Sequence, residues 1–176
     1  IDHKGDILGI DLADDEVNYP PDVFAGIFQK AKSNGLGITV HAGEPNVPHA
    51  PNNIIKSIEL LGADRIGHGV QAIHDSKVIE VLSESKVPLE LCPTSNVLTK
   101  AVTSMEMHPI KKLMEFGVRT TINSDDPGVM GISLLNEYEN VFNAIGMSIK
   151  QLEQCNRWAA EASFICREKL EKVWTF

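Results

Sequence analysis

Residues 38–69, ITVHAGEPNVPHAPNNIIKSIELLGADRIGHG, contain the pattern that decides the fold class. The segment begins with a short run rich in β-branched residues, 38–41, and ends with a second apolar run, 65–68. Between these runs, apolar residues recur at the spacing of an amphipathic helix, and Gly62 follows as a helix stop. These apolar residues are Ile54, Ile55, Ile58 and Leu61. A strand, a helix and a second strand within about 30 residues predict a βαβ unit with parallel strands.

The same alternation extends in both directions along the chain. Further strand-like runs occupy 7–12, 87–92 and 118–123, and helix-like segments begin near residues 23, 78 and 110. After residue 134 the pattern is helical as far as residue 172 and contains no further strand. We therefore predict an α/β fold with five parallel strands, four intervening helices and two or three C-terminal helices.

The residues at the strand ends select between the two folds that such alternation allows, a doubly wound sheet and a barrel. Barrel active sites are built from the carboxyl ends of several strands at once. We therefore expect part of a (β/α)8 TIM barrel, with about five βα units followed by C-terminal helices. The polar or ionisable strand ends are Asp11, His41 with Glu44, His68, residues 92–96, and Asp125 with Asp126.

The composition excludes several classes of function. The 16 Lys and Arg residues against 24 Asp and Glu residues give a net charge of −8, and no basic cluster suited to a phosphate backbone occurs. No apolar run reaches the roughly 18 residues of a membrane span. Three cysteines without a Cys-x-x-Cys pair indicate reduced thiols. We expect a cytoplasmic protein without nucleic-acid or membrane partners.

Two histidine motifs follow neighbouring strands. His41-Ala42-Gly43-Glu44 places an imidazole at a strand end and a carboxylate three residues later, a pairing that can hold zinc and move protons. His68 stands between Gly67 and Gly69, where the missing Cβ atoms let a substrate or a metal approach. Taken singly, the first motif is more often a surface or core pair, and the second is as often a capping or core histidine.

Two further motifs follow the last two strands. Asn123-Ser124-Asp125-Asp126-Pro127 places adjacent carboxylates at a strand end, so that one can bind a metal and the other a ligand. Its alternative is an Asx turn or a helix cap. Cys92-Pro93-Thr94-Ser95-Asn96 gathers hydroxyls and an amide, either as pocket lining or as a helix start. No histidine is fixed beside Cys92 that would make it a nucleophile.

The conjunction of these motifs carries more weight than any single one. A His, a Glu, a second His and two Asp all fall at the same end of consecutive parallel strands. Mixed nitrogen and oxygen ligands with an open position are typical of catalytic zinc, which activates a water molecule for attack. The residues therefore predict metal-assisted hydrolysis. A plain α/β scaffold with coincidental polar strand ends is the alternative.

Five collinear motifs together resemble those of the adenosine deaminase family, and they span nearly the whole chain. That family comprises zinc-dependent (β/α)8 barrels that hydrolyse the 6-amino group of adenosine or deoxyadenosine to inosine or deoxyinosine and ammonia, a step of purine salvage. The resemblance implies a purine nucleoside substrate and one Zn²⁺ per complete active site. The matching motifs are Asp11-Leu12-Ala13, His41-Ala42-Gly43-Glu44, Arg65-Ile66-Gly67-His68-Gly69, Cys92-Pro93-Thr94-Ser95-Asn96 and Ser124-Asp125-Asp126-Pro127.

The resemblance implies a role for each residue that would touch the metal or the reacting atoms. His41 and Asp125 would bind zinc. Glu44 would protonate purine N1, and His68 would orient and deprotonate the attacking water. Each role suits the chemistry, because addition to C6 requires a protonated ring nitrogen and a stabilised attacking oxygen.

The resemblance also implies the residues that would recognise the substrate. Asp126 would interact with purine N7, and Ser95 with Asn96 would line the pocket. The family usually has glycine where this chain has Asp14, in a segment where the backbone meets the purine. The added bulk and charge of Asp14 predict an altered preference, so adenine or another aminopurine is the alternative substrate.

The family also has a His-x-His pair on the first barrel strand that supplies two more zinc ligands, and no such pair occurs here. The chain of 176 residues is shorter than the roughly 250 typical of this barrel. We therefore expect residues 1–176 to form a single unit, the C-terminal part of a metal-dependent hydrolase barrel without its N-terminal strands. Such a unit would be impaired alone and would associate with another chain to complete the barrel. A catalytically incompetent half-barrel is the alternative.

The remaining histidines receive no role at this stage. They stand at positions 3, 49, 74 and 108. His108 precedes Pro109, a pattern typical of a helix start.

Overall fold

The strands form one parallel sheet in which sequence order is also spatial order. The computed structural model describes residues 7–172 and residue 174. Its sheet has the order β1-β2-β3-β4-β5, without the reversal of strand order that defines a doubly wound sheet. The α/β class and the partial barrel predicted from the sequence are therefore confirmed. The strands are β1 (Gly9–Leu12), β2 (Gly37–Ala42), β3 (Arg65–His68), β4 (Leu89–Leu91) and β5 (Thr120–Ile122).

The helices connect the strands and extend the chain beyond the last of them. The four predicted intervening helices are present, and two additional short helices follow β4 and β5. Three helices after residue 134 agree with the predicted C-terminal pattern. The helices are α1 (Ala25–Ser33), α2 (Ala50–Leu61), α3 (Ser76–Ser85), α4 (Pro93–Leu98), α5 (Ile110–Glu115), α6 (Pro127–Met130), α7 (Leu134–Asn143), α8 (Ile149–Glu161) and α9 (Arg167–Leu170). No helix among the described residues is both long and apolar enough to cross a membrane.

Three strands are shorter than the apolar runs that predicted them. The runs 7–12, 87–92 and 118–123 contain strands of four, three and three residues. The ladder between β4 and β5 covers only the three positions that are in register, from Leu89 opposite Thr120 to Leu91 opposite Ile122. Of the apolar residues outside the strands, Val118 is buried by packing, whereas Ile7 and Leu8 are exposed, and the sequence pattern distinguishes neither case from strand pairing.

The core lies between the sheet and the helices. Ile38, Val40 and Ile66 are fully buried on the helix-facing side, where they pack with Ile54 and Leu61 of α2. Burying a side chain of this size stabilises the fold by about 1.5–3 kcal/mol. Because side chains alternate across a strand, the residues between these apolar positions face the barrel interior, and most are polar. They include Asp11, Thr39, His41, Arg65, Glu90 and Thr121.

The segment after α8 closes one end of this interior. Phe164 packs against Gly9 and Gly37, where a Cβ atom would lie within 2.8 Å of its ring. The guanidinium of Arg65 lies 3.8 Å from the centre of the same ring. Phe164 therefore covers the amino ends of the first strands, and the carboxyl ends remain as the edge at which polar side chains collect.

Candidate active site

The carboxyl ends of β2, β3 and β5 bring three potential metal ligands together. The ligand atoms of His41, His68 and Asp125 all lie within 4.8 Å of one another. The two imidazole rings meet edge to face, with centroids 5.1 Å apart. A Cβ atom on Gly67 would lie 3.1 Å from Cγ and Nδ1 of the His41 ring, so a side chain at this position would press on the ring and shift it.

Asp11 on the neighbouring strand orients His41. Its Oδ2 lies 3.1 Å from His41 Nδ1, and this contact is the main reason why the pKa of His41 is raised above its ordinary value. Because Nδ1 is engaged, Nε2 is the nitrogen that can bind a metal. When one ring nitrogen of a histidine binds a metal, a carboxylate that accepts from the other nitrogen fixes the ring orientation and makes the ligand more basic.

Two site residues have strained backbones. His68 and Asp125 adopt φ values of +60° and +56°, a region that few residues other than glycine occupy, although Asn, Asp and His do so more often than the rest. Such conformations cost of order 1–3 kcal/mol each and are retained where the surrounding structure holds them in place. His68 is the last residue of β3, and Asp125 lies three residues after the end of β5, so both positive φ values occur where the strand alternation ends.

The short helix α4 supplies the contact that holds Asp125. Ser95, fully buried in the first turn of α4, donates a hydrogen bond of 2.6 Å from Oγ to Asp125 Oδ2. The same turn is anchored from α7, because the backbone N–H of Thr94 donates to Glu137 Oε2 at 3.0 Å. Asp125 Oδ1 is left available for another ligand.

Glu44 lies beside His68 at the opening of the site. Its Oε1 accepts hydrogen bonds from Thr99 Oγ1 at 2.9 Å and from Asn96 Nδ2 at 3.3 Å. Its Oε2 lies 3.7 Å from His68 Nε2. The carboxylate is therefore held at one oxygen and presents the other oxygen towards the position where a substrate would bind.

Glu16 holds the backbone from which Glu44 projects. This buried carboxylate, 8% exposed, accepts hydrogen bonds from the backbone N–H groups of Gly43 at 2.9 Å and Glu44 at 2.8 Å, and from Asn53 Nδ2 at 3.1 Å. Burial raises the pKa of Glu16, while the three donors oppose this shift. The loop after β1 is thereby fixed to the loop after β2.

We predict that Glu16→Ala destabilises the protein by more than a substitution in a loop usually does. The change leaves two backbone N–H groups without their acceptor, so the free energy of unfolding should fall by about 2–4 kcal/mol. Urea denaturation measures this loss. Glu59→Ala, on the exposed side of α2, is the matched control and should stay within about 0.5 kcal/mol of the parent protein. If the free energy of unfolding fell by less than about 1 kcal/mol in Glu16→Ala, the hydrogen bonds that Glu16 accepts from Gly43 and Glu44 would not be needed for stability.

The structure places the two predicted substrate-binding aspartates at the rim. Asp14 is exposed, has φ of +91°, and lines a cavity of about 180 Å³ together with Tyr19, Phe24 and His41. Asp126 is exposed beside Asp125 and makes no side-chain hydrogen bond or ion pair with the described site residues. Their predicted roles towards the substrate are not tested by these positions.

Several residues at the site had received no role from the sequence. The contacts of Asp11, Glu16 and Thr99 join loops that are far apart in the chain. Asp11 stood out through its place at a strand end and through the motif Asp11-Leu12-Ala13, and neither it, Glu16 nor Thr99 was given a role. His108, expected only at a helix start, is 4% exposed and belongs to a hydrogen-bonded group behind Glu44 and His68.

Cys92 is unsuited to nucleophilic catalysis in this environment. Burial raises the pKa of its thiol well above the ordinary value, and the nearby carboxylates raise it further. A thiol in such surroundings stays protonated and unreactive.

Comparison with known proteins identifies the family and several relatives. The sequence model of the adenosine deaminase family matches residues 2–174. An adenosine deaminase from Escherichia coli strain SE11 is 40% identical over 167 residues, which cover 95% of this chain and 49% of that protein. The chain thus spans about half the length of the curated relatives it matches.

Two solved structures of relatives have the same architecture. Adenine deaminase from Arthrobacter aurescens superposes with a TM-score of 0.88 at 30% identity, covering 94% of this chain and 50% of that one. The N6-methyl-AMP deaminase of Arabidopsis thaliana gives a TM-score of 0.82 at 31% identity, covering 94% and 47%. The substrates in the names of these two relatives share a purine with a nitrogen substituent at C6 and differ in the other groups that the purine carries.

Proposed function

Because the chain belongs to the adenosine deaminase family, we propose that its site takes part in the hydrolytic removal of the 6-amino group of adenosine or deoxyadenosine. The products would be inosine or deoxyinosine and ammonia, as in purine salvage. The observation that carries this proposal is the convergence of His41, Asp125 and Glu44 at one edge of the sheet, with metal ligands beside a carboxylate. A reaction that needs both an activated water and a proton donor requires this combination.

The donor set fits a zinc ion. His41 offers Nε2 because Asp11 engages its other nitrogen, and Asp125 offers Oδ1 because Ser95 engages its other oxygen. Nitrogen and carboxylate ligands with room for a further one are typical of catalytic zinc sites. When bound, zinc acts as a Lewis acid that activates water for attack on the purine. His41 and Asp125 would hold one such ion per complete site.

The other residues act on the substrate. Glu44 holds a proton at Oε2 and delivers it to purine N1, since Oε1 is occupied by Thr99 and Asn96. His68 orients the attacking water from between Glu44 and Asp125. Asp126 shares a proton with purine N7, because N7 of a neutral aminopurine has a lone pair and no hydrogen of its own. Its exposed position at the rim leaves it free for this contact. Ser95 keeps Asp125 in its binding orientation.

We further propose that residues 1–176 form a single C-terminal unit of a hydrolase barrel. The chain has no His-x-His pair and spans about half the length of the relatives it matches. The two remaining zinc ligands would come from outside these residues, from the same polypeptide or from an associated chain. A cytoplasmic location is the accompanying expectation.

A substrate panel tests the proposed reaction. Zinc-loaded complete protein containing this chain is mixed with adenosine, deoxyadenosine, adenine and N6-methyl-AMP, and ultraviolet absorbance and ammonia or methylamine release are recorded. Adenosine and deoxyadenosine should be deaminated fastest, and a chelator should abolish the reaction. Faster turnover of adenine or N6-methyl-AMP would transfer the proposal to that substrate. No turnover of any of them would leave a catalytically incompetent scaffold.

We predict that Asp14→Gly affects both stability and preference. A φ of +91° suits glycine, so the substitution should relieve strain and raise the free energy of unfolding by about 1 kcal/mol. Removing a carboxylate from the cavity beside His41 should also change the ratio of kcat/KM for adenosine and adenine. Thermal unfolding and steady-state kinetics measure the two effects. An unchanged ratio would remove Asp14 from substrate selection.

A further inference from the structure

A buried group of side chains lies directly behind Glu44 and His68. His108 and Asn96 are 4% and 0% exposed, and His68 is 3% exposed. They form a continuous chain of hydrogen bonds that starts at a backbone N–H group and ends at the reacting side of the site. Because a backbone N–H can only donate, the direction of every bond in this chain can be worked out.

The first step fixes the protonation of His108. The backbone N–H of Ile110 points at His108 Nδ1 from 3.3 Å, so Nδ1 must be the nitrogen with a free lone pair. Burial lowers the pKa of His108 to about 3, which keeps the ring neutral at ordinary pH. A neutral imidazole has one N–H group, and it therefore lies at Nε2.

The second step fixes the orientation of the Asn96 amide. His108 Nε2 lies 3.2 Å from Asn96 Oδ1 and donates to it. If Oδ1 and Nδ2 of Asn96 were exchanged, the NH₂ group would face the N–H of His108. Two donors would then meet in a buried site without an acceptor, which is unfavourable. Nδ2 must then be on the opposite side of the amide.

The third step fixes the tautomer of His68. Asn96 Nδ2 has two hydrogens and two neighbours, His68 Nδ1 at 3.0 Å and Glu44 Oε1 at 3.3 Å. Both neighbours therefore accept. Since Nδ1 of neutral His68 accepts, its hydrogen lies on Nε2, which is 3.7 Å from Glu44 Oε2 and 3.9 Å from Asp125 Oδ2.

We propose that His108 and Asn96 are positioning residues that hold His68 as the Nε2–H tautomer, so that His68 donates a hydrogen bond into the site and does not accept a proton there. The inference rests on the proposed function and deepens it, because the family resemblance alone implied a histidine that deprotonates water. Glu44 is then the member of the pair that takes the proton of the attacking water, after it has passed its own proton to purine N1. Both positioning residues are buried and act through His68 and Glu44.

Nitrogen NMR of the complete protein containing this chain, labelled with ¹⁵N-histidine, observes the tautomers without any turnover. We expect both His68 and His108 to show a protonated Nε2 and an unprotonated Nδ1, with and without zinc. The His68 signals are assigned by their loss in His68→Gln. A protonated Nδ1 on His68 would overturn the proposal. Absence of deamination would instead count against the proposed function, and it leaves this readout intact.

Three variants test the direction of the chain. Asn96→Asp has the same shape but accepts from both rings, so His68 should change to the Nδ1–H tautomer and kcat should fall by about 100-fold. His108→Leu removes the donor to Asn96 and should lower kcat at least tenfold. His108→Gln restores a donor at this position and should recover most of that loss.

A purely structural role predicts a different outcome. Leucine fills the buried space as well as glutamine does, so equal kcat values for His108→Leu and His108→Gln would contradict the proposed positioning role of His108. His74→Gln, at an exposed histidine, is the matched control and should leave kcat unchanged. If a variant fails to fold, the NMR result on the parent protein still decides the tautomer.

Discussion

Replacing Glu44 with glutamine should lower kcat for purine deamination by about 100- to 10,000-fold, the range that general acid catalysis contributes. Glutamine has the same shape and keeps an oxygen that can accept from Thr99 and Asn96, but it has no ionisable proton to pass to purine N1. Zinc content and thermal stability should therefore stay close to those of the parent protein. The measurement is the loss of adenosine absorbance at saturating substrate.

The control for this variant is Glu59→Gln, on the exposed side of α2. It removes the same negative charge at a distance from the site and should leave kcat unchanged. If Glu44→Gln retained more than about a tenth of the parent kcat, the carboxylate would not be the proton donor. Glu44 Oε2 would then contribute to substrate binding and not to proton transfer.

Replacing Asp125 with asparagine should have an effect of similar size by a different route. The change removes the proposed anionic zinc ligand, while an amide oxygen can still accept from Ser95. Removing a residue that hydrogen-bonds to a metal ligand typically lowers the affinity for the metal 10- to 100-fold. Removing a ligand itself should therefore lower it by at least about 100-fold. The protein should lose zinc on dialysis, and kcat should fall in proportion to the zinc lost.

Elemental analysis after dialysis measures this effect together with the deaminase assay. Asp22→Asn, which removes an exposed carboxylate paired with Lys56, is the matched control and should retain both zinc and activity. Full zinc retention in Asp125→Asn would exclude Asp125 as a ligand. High excess zinc should partly restore kcat in Asp125→Asn and should not restore it in Glu44→Gln, which separates the two roles.

The sequence predicts the fold well because two local patterns recur along it, the alternation of apolar and polar residues within a strand and the apolar stripe of the helix that follows. Apolar residues of β2, such as Ile38 and Val40, alternate with residues that face the barrel interior, and the following helix has a clear apolar stripe. These are local patterns, and they are sufficient for the element order and for parallel pairing. The number of residues that pair between two strands is not a local property, because it depends on how two separate chain segments align. The strands β4 and β5 are therefore shorter than their apolar runs.

The sequence also predicts which side chains meet at the site. His41, His68 and Asp125 come together because carboxyl ends of parallel strands share one edge of the sheet. Their individual roles towards zinc and substrate stay predictions.

The supporting contacts could not be predicted in the same way. Glu16 binds backbone N–H groups 27 and 28 residues away, and His108 acts through Asn96. Backbone N–H acceptors and buried amides have no sequence pattern of their own. The positive φ at Asp14 is likewise visible only in the structure, although glycine at the matching position of the family is its counterpart.

Titration of zinc into metal-free complete protein containing this chain tests the central claim most directly. We predict that the rate of adenosine deamination rises linearly with added zinc and reaches a plateau at one ion per active site, and that Asp125→Asn shows no rise over the same range. Full activity in the metal-free protein, or an identical titration for Asp125→Asn, would contradict a zinc-dependent site built on His41 and Asp125.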